Sequence, residues 1–350
     1  MSKDLKAIRQ EIDDINDSIL EMLNKRTELI KEIVDLKDQN GSEYFDPERE
    51  TEMMKKILSK NSGPLYNELI REVFSAIFST SLKFMGLSRQ KKLLVSSSSN
   101  TYFKSINEMF GLGNNDPVII AGPCAVETPE YLEIIAKHLR DKNIKFIRAG
   151  AYKPRSSPYD FQGLREEGLK ILQDVSKRYG LFSITEVVDT RDVDLVTRYV
   201  DILQIGARNM QNFELLKEVG KTNHPVLLKR GISATIQELM LAAEYIALNG
   251  NNKIILCERG IRTYETQTRN TLDISSIPII KKETHLPIVA DISHSLGRKD
   301  IANHIAKAVL SAGADGVMVE VHPIPELALS DSKQQLNLSE FDDMLDFIKR

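Results

Sequence analysis

Eight short apolar runs, each followed by an amphipathic helical pattern, fill the chain from about residue 116 onward. They predict strands at 118–121, 146–149, 182–185, 202–205, 226–228, 254–256, 288–290 and 316–319. This alternation is typical of βα units in a parallel sheet. Eight units within about 235 residues predict a (β/α)8 barrel, for which ~250 residues is usual. A doubly wound sheet is the alternative, but no Gly-x-Gly-x-x-Gly pattern follows the first predicted strand.

The amino-terminal region has a helical period instead. Apolar residues recur every three or four positions from Leu5 to Leu36, which predicts one helix over residues 3–39. Such a helix is ~55 Å long at 1.5 Å per residue, too long for a small globule to bury alone, so a partner chain is expected. Further helices are predicted at 48–60 and 66–85. The predicted domains are an all-helical dimerising domain at 1–88, a linker at 89–115 and the barrel at 116–350.

Charge and composition exclude several classes of protein. The 350 residues carry a net charge of -3, which indicates neither nucleic acid nor an anionic membrane as a partner. No apolar run approaches the ~20 residues of a membrane helix, and the chain opens on an amphipathic helix rather than a signal peptide. A cytoplasmic protein is therefore expected. The two cysteines, Cys124 and Cys257, form no disulfide framework, and Cys257 is expected in the core.

Cations follow the second, fourth, fifth and sixth predicted strands. They are Arg148, Lys153, Arg155, Arg208, Lys229 and Arg259. Because the carboxyl ends of barrel strands meet at one rim, these side chains are expected to converge. Arginine forks and lysine point charges suit phosphate and carboxylate groups, so the predicted ligands are small phosphorylated acids.

A possible metal-binding set lies at the same rim. It comprises Cys124, His294, Glu320 and Asp331. One sulfur, one nitrogen and two oxygens make a site of mixed softness that suits Mn, Fe, Zn or a similar divalent ion. Taken alone, Cys124 is equally consistent with a small buried hydrophobe.

Several separated motifs occur in register with the predicted strand ends. They are Gly122-Pro123-Cys124-Ala125-Val126-Glu127, the run from Lys153 to Gly163, the run from Gln204 to Asn209, and His294-Ser295. Over about residues 105–350 the sequence resembles 3-deoxy-D-arabino-heptulosonate 7-phosphate (DAHP) synthases, in the shorter subfamily often fused to a regulatory domain. The resemblance implies condensation of phosphoenolpyruvate with D-erythrose 4-phosphate to DAHP and phosphate, the first step of the shikimate pathway of aromatic amino acid biosynthesis.

The resemblance also implies roles for individual residues. The metal ligands would be Cys124, His294, Glu320 and Asp331, with Mn²⁺ expected ahead of Fe²⁺, Zn²⁺ or Co²⁺. Phosphoenolpyruvate would contact Arg148, Lys153, Ala207, Arg208, Lys229 and Arg259. Erythrose 4-phosphate would contact Arg155 and Ser156, the latter a threonine in most of the family. Lys153, Cys124, His294 and Glu186 would be catalytic, with Glu186 orienting a water molecule.

Two other functions are compatible with a barrel. One is the related condensation on a five-carbon sugar by 3-deoxy-octulosonate 8-phosphate synthase, whose loop usually reads Lys-Ala-Asn-Arg-Ser. Here Pro154-Arg155 follows Lys153 directly, which shortens the loop and favours the four-carbon sugar. The other is a scaffold or binding protein without catalysis, which would leave the coincidence of a complete metal set and a complete cation set unexplained.

The helical region carries a resemblance of its own. Arg26 occupies the apolar stripe of the long helix, where a buried guanidinium requires an anion. Over about residues 1–88 the chain resembles the all-helical chorismate mutases, which are intertwined dimers. The matching positions are Arg9, Arg26, Lys37, Asp46, Arg49, Glu50 and Ser81, whereas Met85 stands where the family has Gln or Glu.

Two hypotheses follow for this helical region. It converts chorismate to prephenate, or it binds chorismate or prephenate and regulates the barrel without mutase activity; both can hold together. Because a thioether donates no hydrogen bond to the ether oxygen, Met85 weakens the case for fast turnover. A homotetramer built from dimers of the helical domain is the expected assembly.

Overall fold

The computed structural model describes residues 4–40, 47–88, 93–97, 105–113, 116–155 and 157–350. The chain divides into two compact units, Met1–Lys91 and Lys92–Arg350. The domain limits of 88 and 116 inferred from the sequence remain predictions. Among the described helices, none combines the length and the apolar character needed to cross a membrane.

The first unit consists of helices in its described part. They are α1 (Leu5–Asn40), α2 (Pro47–Lys60) and α3 (Asn67–Ser88), and both α1 and α2 pack against α3. The helical prediction is confirmed. Ile30, Val34 and Phe78 form the small buried core of this unit. Most of the apolar stripe of α1 stays exposed in the single chain, at Leu5, Ile8, Ile12, Ile15, Ile19, Met22, Leu29, Ile33 and Leu36.

The second unit is a closed barrel of eight parallel strands, as the sequence predicts. Each strand pairs with its sequence neighbours, and β8 pairs with β1. The strands are β1 (Val118–Gly122), β2 (Phe146–Arg148), β3 (Phe182–Glu186), β4 (Ile202–Ile205), β5 (Val226–Lys229), β6 (Ile254–Glu258), β7 (Ile288–Asp291) and β8 (Gly316–Glu320). Seven of the eight predicted strands begin and end within one residue of these limits, and the eighth, β6, ends two residues later than predicted.

Helices connect and surround the strands. They are α4 (Ile106–Met109), α5 (Pro129–Asp141), α6 (Glu166–Tyr179), α7 (Val193–Thr197), α8 (Phe213–Gly220), α9 (Ile236–Leu248), α10 (Ser276–Glu283), α11 (Ile292–Leu296), α12 (Ala302–Ser311) and α13 (Leu338–Lys349). Local signals set their ends. Thr235 and Glu238 form a capping box at the start of α9, and Gly180 ends α6 in the left-handed conformation.

Two apolar layers hold the barrel together. Side chains from alternate strand positions, including Ile120, Ile184 and Ile255, fill its interior together with Cys257, and a larger layer lies between the strands and the outer helices. Phe110, which follows α4, packs its ring 5.2 Å from that of Phe146 at the start of β2. The amino-terminal end of the barrel is therefore closed by apolar side chains, so the polar groups concentrate at the carboxyl end.

Residues 93–97 are bound to the barrel, although they lie within the predicted linker. The nearly buried carboxylate of Glu244 on α9 accepts hydrogen bonds from the backbone N–H groups of Leu94 (3.0 Å) and Val95 (3.2 Å). Ser97 donates its N–H to the Glu283 carbonyl at 2.9 Å. The chain is thus anchored to the barrel shortly after it leaves the helical unit.

Replacing Ile255 with Ala tests the interior layer. This side chain is fully buried inside the barrel, so its loss leaves a cavity and is expected to lower the free energy of unfolding by ~2–5 kcal/mol. The control Leu248→Ala removes a side chain that is 66% exposed and should change stability by less than about 0.5 kcal/mol. Urea unfolding followed by circular dichroism measures both, and equal losses would contradict the interior packing.

Candidate active site

A cavity of about 430 Å³ opens at the carboxyl ends of the barrel strands. Ten of the residues predicted from the sequence line it: Arg148, Lys153, Arg155, Glu186, Ala207, Arg208, Lys229, Arg259, His294 and Asp331. Cys124 and Glu320 lie buried beside it. Ser156 is outside the described residues. The barrel closure therefore gathers side chains that are up to two hundred positions apart in the chain.

Four potential metal ligands meet at one side of this cavity. Ligand atoms of Cys124, His294, Glu320 and Asp331 all lie within 4.8 Å of one another. Nε2 of His294 is 3.6 Å from Oε1 of Glu320 and 3.8 Å from Oδ2 of Asp331, while Sγ of Cys124 is 3.5 Å from the same Asp331 oxygen. One thiol, one imidazole and two carboxylates at this spacing fit a divalent cation that accepts sulfur, nitrogen and oxygen together.

Asp291 contacts His294, one of the four potential metal ligands. Its Oδ2 lies 2.8 Å from Nδ1 of His294, and its Oδ1 accepts the His294 backbone N–H at 2.9 Å. The same carboxylate, fully buried at the end of β7, pairs with Nζ of Lys229. Contact between a carboxylate and the second ring nitrogen fixes the ring of a metal-binding histidine. Asp291 therefore joins the metal side of the cavity to the cation side.

Arg148 is a second link between the potential metal ligands and the cations of the cavity. Its Nη1 lies 3.0 Å from Oε1 of Glu320, and its Nε donates to Oε1 of Gln204 at 3.0 Å. Gln204 in turn donates to Oε2 of Glu186 at 3.2 Å. The carboxylate expected to orient water is thus held by an amide inside β4. Sequence reasoning included Gln204 in a motif but gave its amide no role, because the residue lies inside an apolar strand.

Neighbouring residues at the ends of β5 and β6 point in opposite directions. Lys229 and Arg259 line the cavity, whereas Arg230 and Glu258 face away from it. Nη1 of Arg230 is 2.8 Å from Oε2 of Glu258 and 2.8 Å from Oδ2 of Asp273. Because successive strand residues alternate between faces, this outward ion pair fixes the strand ends that aim the two inward cations.

Hydrogen bonds within the loop after β2 hold it together. The Lys153 N–H donates to the Gln162 carbonyl at 2.9 Å, and the Gln162 amide donates to the Pro158 carbonyl at 3.1 Å. Nζ of Lys153 lies 3.0 Å from the Cys124 carbonyl and 3.1 Å from its Sγ, so this lysine points at the metal ligands. Arg155 pairs with Asp160 at 3.5 Å, and both side chains line the cavity.

Burial and neighbouring charges set the protonation of the ligands. Burial raises the pKa of the Cys124 thiol to about 12 and lowers the pKa of His294 despite the nearby carboxylates, so the imidazole is neutral near pH 7. Burial by itself would raise the pKa of Asp331, but Arg269 and His294 outweigh it and lower that pKa to about 2. Both oxygens of Asp331 are therefore available as ligands, whereas the thiol must lose a proton when a metal binds.

The cavity contains cations that the sequence reasoning did not assign. Arg262 and Arg269 line it together with Asn270, and all three belong to the loop between β6 and α10. They lie well beyond the end of β6, and the sequence analysis considered only the residues at or just after each predicted strand. The recurrence of arginine after β6, at Arg259, Arg262 and Arg269, is the sequence signal that could have found both.

The predicted chorismate site is only partly assembled in a single chain. Nη1 of Arg26 donates to Oγ of Ser81, and its guanidinium lies 5.6 Å from the ring centre of Phe78. Arg9 and Arg49 are exposed, and Lys37 is half-buried. Asp46 lies outside the described residues, as do the side chains of Glu50 and Met85. Seventeen positions separate Arg9 from Arg26 on α1, or about 25 Å, so one chain cannot bring them to one ligand.

The fold and the cavity define a (β/α)8-barrel enzyme whose cavity combines inward cations with a possible divalent-metal site. Comparison with known proteins gives the family. The model of the DAHP synthetase I family matches residues 100–350, and that of type II chorismate mutase matches residues 8–85. The chain belongs to the DAHP synthetase I family and carries a type II chorismate mutase domain at its amino-terminal side.

Individual relatives agree with this assignment. A phospho-2-dehydro-3-deoxyheptonate aldolase of Thermotoga maritima is 54% identical over 239 residues, which cover 68% of this chain and 71% of the relative. A crystal structure of that Thermotoga maritima enzyme superposes with a TM-score of 0.69 at 50% identity, covering 74% of this chain and 76% of the other. A 2-dehydro-3-deoxyphosphooctonate aldolase of Acidithiobacillus ferrooxidans is 30% identical and covers 65% of this chain and 86% of its own length.

Replacing Glu258 with Gln tests the outward ion pair. Arg230 would lose the fully buried one of its two carboxylate partners, and the free energy of unfolding should fall by ~3 kcal/mol. The control Asp300→Asn breaks the exposed pair with Arg298 and should cost less than about 1 kcal/mol. Urea unfolding distinguishes the two, and a Glu258→Gln variant as stable as the control would refute a structural role for the pair.

Proposed function

We infer that the barrel condenses phosphoenolpyruvate with D-erythrose 4-phosphate to give DAHP and phosphate. The observation that carries this inference is the position of the metal-ligand set, directly beside a group of inward cations in one cavity. The family assignment supports the same reaction. The five-carbon alternative is disfavoured, because its named relatives are only about 30% identical and because Pro154-Arg155 follows Lys153 in the substrate loop.

The cations bind and orient phosphoenolpyruvate in this proposal. Arg208, Lys229 and Arg259 hold its phosphate and carboxylate, and Arg148, Lys153 and the Ala207 backbone complete that subsite. Arg259 is nearly buried and makes no ion pair with any described residue, so its charge is available to an anion. Arg155 and Ser156 bind the sugar phosphate. Holding both substrates in one cavity aligns the enol carbon with the aldehyde carbon.

The chemical step joins those two carbons. Cys124, His294, Glu320 and Asp331 would hold a divalent cation, which would supply Lewis acidity to the aldehyde oxygen. The double bond of phosphoenolpyruvate forms the new carbon–carbon bond, and water, oriented by Glu186 and indirectly by Gln204, adds to its central carbon. The proton that water loses balances the proton taken up by the former aldehyde oxygen, which becomes a hydroxyl group. The resulting hemiketal expels phosphate, and Arg208, Lys229 and Arg259 stabilise the departing charge.

Manganese is the proposed native ion, with Fe²⁺, Zn²⁺ and Co²⁺ as the other candidates. Two carboxylate oxygens and an imidazole suit Mn²⁺, while the Cys124 thiolate also permits softer ions. The cytoplasmic location expected from the sequence remains a prediction.

Removal of the metal tests the reaction. Treatment with EDTA should reduce phosphoenolpyruvate consumption at least ~100-fold, because Lewis-acid stabilisation contributes several kcal/mol, and added Mn²⁺ should restore it. Arabinose 5-phosphate in place of erythrose 4-phosphate serves as the substrate control and should react poorly. Full activity in protein shown by elemental analysis to be free of metal would rule out the metal role.

The helical unit is proposed to bind chorismate or prephenate as a mutase, a feedback sensor, or both. Arg26 and Ser81 form the half of the site contained in one chain, and the distance to Arg9 requires a second chain to supply the other cation. The exposed apolar stripe of α1 is the surface for that chain. We propose a dimer through this helix and a homotetramer of the whole protein.

Two substitutions separate the mutase from the sensor. Met85→Gln supplies a hydrogen-bond donor and should raise conversion of chorismate to prephenate by about 100-fold if the missing donor limits turnover, with Met85→Leu as the inactive control.

Arg26→Ala should abolish prephenate inhibition of the barrel reaction. Inhibition that persists unchanged in a folded Arg26→Ala protein would contradict the sensing role.

A further inference from the structure

The loop between β6 and α10 contacts two of the four proposed metal ligands directly, Asp331 and His294, and a third, Glu320, through Gln334. We propose that Arg269 in this loop is a positioning residue for the metal site, and that Gln334 relays its effect from Asp331 to Glu320. The inference rests on the proposed metal ligands and adds to them residues that would not themselves touch the ion.

A short chain of hydrogen bonds joins the two carboxylate ligands. Nη1 of Arg269 lies 3.2 Å from Oδ2 of Asp331 and donates to Oε1 of Gln334 at 2.9 Å. Nε2 of Gln334 donates to Oε2 of Glu320 at 2.6 Å. The other Glu320 oxygen is already held by Arg148, so each oxygen of this ligand has its own partner. Arg269 and Gln334 thus set the orientation of both carboxylates at once.

The base of Arg269 is itself held against the helix that carries His294. Its backbone N–H donates to the Leu296 carbonyl at 2.9 Å, and the side chain of Asn270 donates to the His294 carbonyl at 2.9 Å. Gly297, at a φ of +68°, ends α11 directly against this loop, and a Cβ there would lie 2.5 Å from Cβ of Arg269. The guanidinium of Arg269 therefore extends from a backbone that is held in place next to His294.

Asp331 depends on such support more than the other ligands do. Cys124, His294 and Glu320 lie in or close to strands, but Asp331 lies well beyond the end of β8 and has a φ of +49°, which is uncommon for a residue with a side chain. Its Oδ2 lies 3.5 Å from Sγ of Cys124. Without Arg269 this carboxylate would be free to rotate away from the other three ligands.

Residues that orient metal ligands usually affect metal affinity by ~10–100-fold when they are replaced. A residue that only binds substrate would leave the affinity for metal unchanged when no substrate is present. Since Arg269 also lines the cavity, this difference separates positioning from substrate binding.

The test is the dissociation constant for Mn²⁺, measured on the metal-stripped full-length protein by competition with a chelator and without substrate. Arg269→Met and Gln334→Met should each weaken Mn²⁺ binding by ~10–100-fold. In the double variant the losses should be smaller than additive, because both residues act through one chain of contacts. Arg269→Lys keeps the charge but cannot reach both partners, and should fall between Arg269→Met and the unaltered protein.

Arg262→Met is the matched control. Arg262 belongs to the same loop and lines the same cavity, but it makes no hydrogen bond or ion pair to a metal ligand among the described residues. Its replacement should leave Mn²⁺ affinity within about twofold. The visible absorption of a Co²⁺-loaded protein provides a second readout and should change for Arg269→Met but not for Arg262→Met.

The outcomes are distinguishable. If the unaltered protein binds no Mn²⁺, the metal proposal itself fails. If it binds Mn²⁺ and folded Arg269→Met and Gln334→Met proteins bind it equally well, only the positioning role is overturned. A loss of the same size in Arg262→Met would also overturn it, because that result would reflect the general charge of the cavity.

Discussion

The pairing of β1 with β8 is the contact on which the rest of the barrel depends. It places Val118 opposite Gly316 and Gly122 opposite Glu320, and so closes a sheet whose first and last strands are two hundred residues apart. Cys124 follows directly after β1, so closure brings the thiol beside the Glu320 carboxylate. Gly122 is required at this point: its φ is +152°, and a Cβ would lie 2.2 Å from the Arg148 carbonyl.

Closure also buries charged groups at the rim, and a buried charge is costly unless it is paired. Three ion pairs meet this need: Arg148 with Glu320, Lys229 with Asp291, and Arg230 with Glu258. The first two connect residues proposed to hold phosphoenolpyruvate to residues proposed to hold or orient the metal. A substitution among the proposed phosphoenolpyruvate-binding residues is therefore expected to alter the metal site, and the reverse. The third pair lies outside the cavity and stabilises the strand ends.

Much of this architecture could be predicted from the chain. Apolar runs located all eight strands, and the polar residue after each run located most of the cavity, because a parallel barrel has only one carboxyl end. The reasoning failed where a residue departs from that rule. Gln204 lies within a strand, and Arg262, Arg269 and Gln334 lie in loops whose paths depend on packing. No periodicity marks such residues, since their role comes from neighbours distant in sequence.

The sequence by itself determined the two-part organisation, the barrel and the chemical character of its rim. These follow from local patterns: the period of the apolar residues and the residue types at strand ends. The tertiary structure decided which charges pair, that Asp291 links Lys229 to His294, and that Arg269 extends from a fixed loop to Asp331. Hydrogen bonds and ion pairs act over about 3 Å, and only the folded chain brings these groups within that distance.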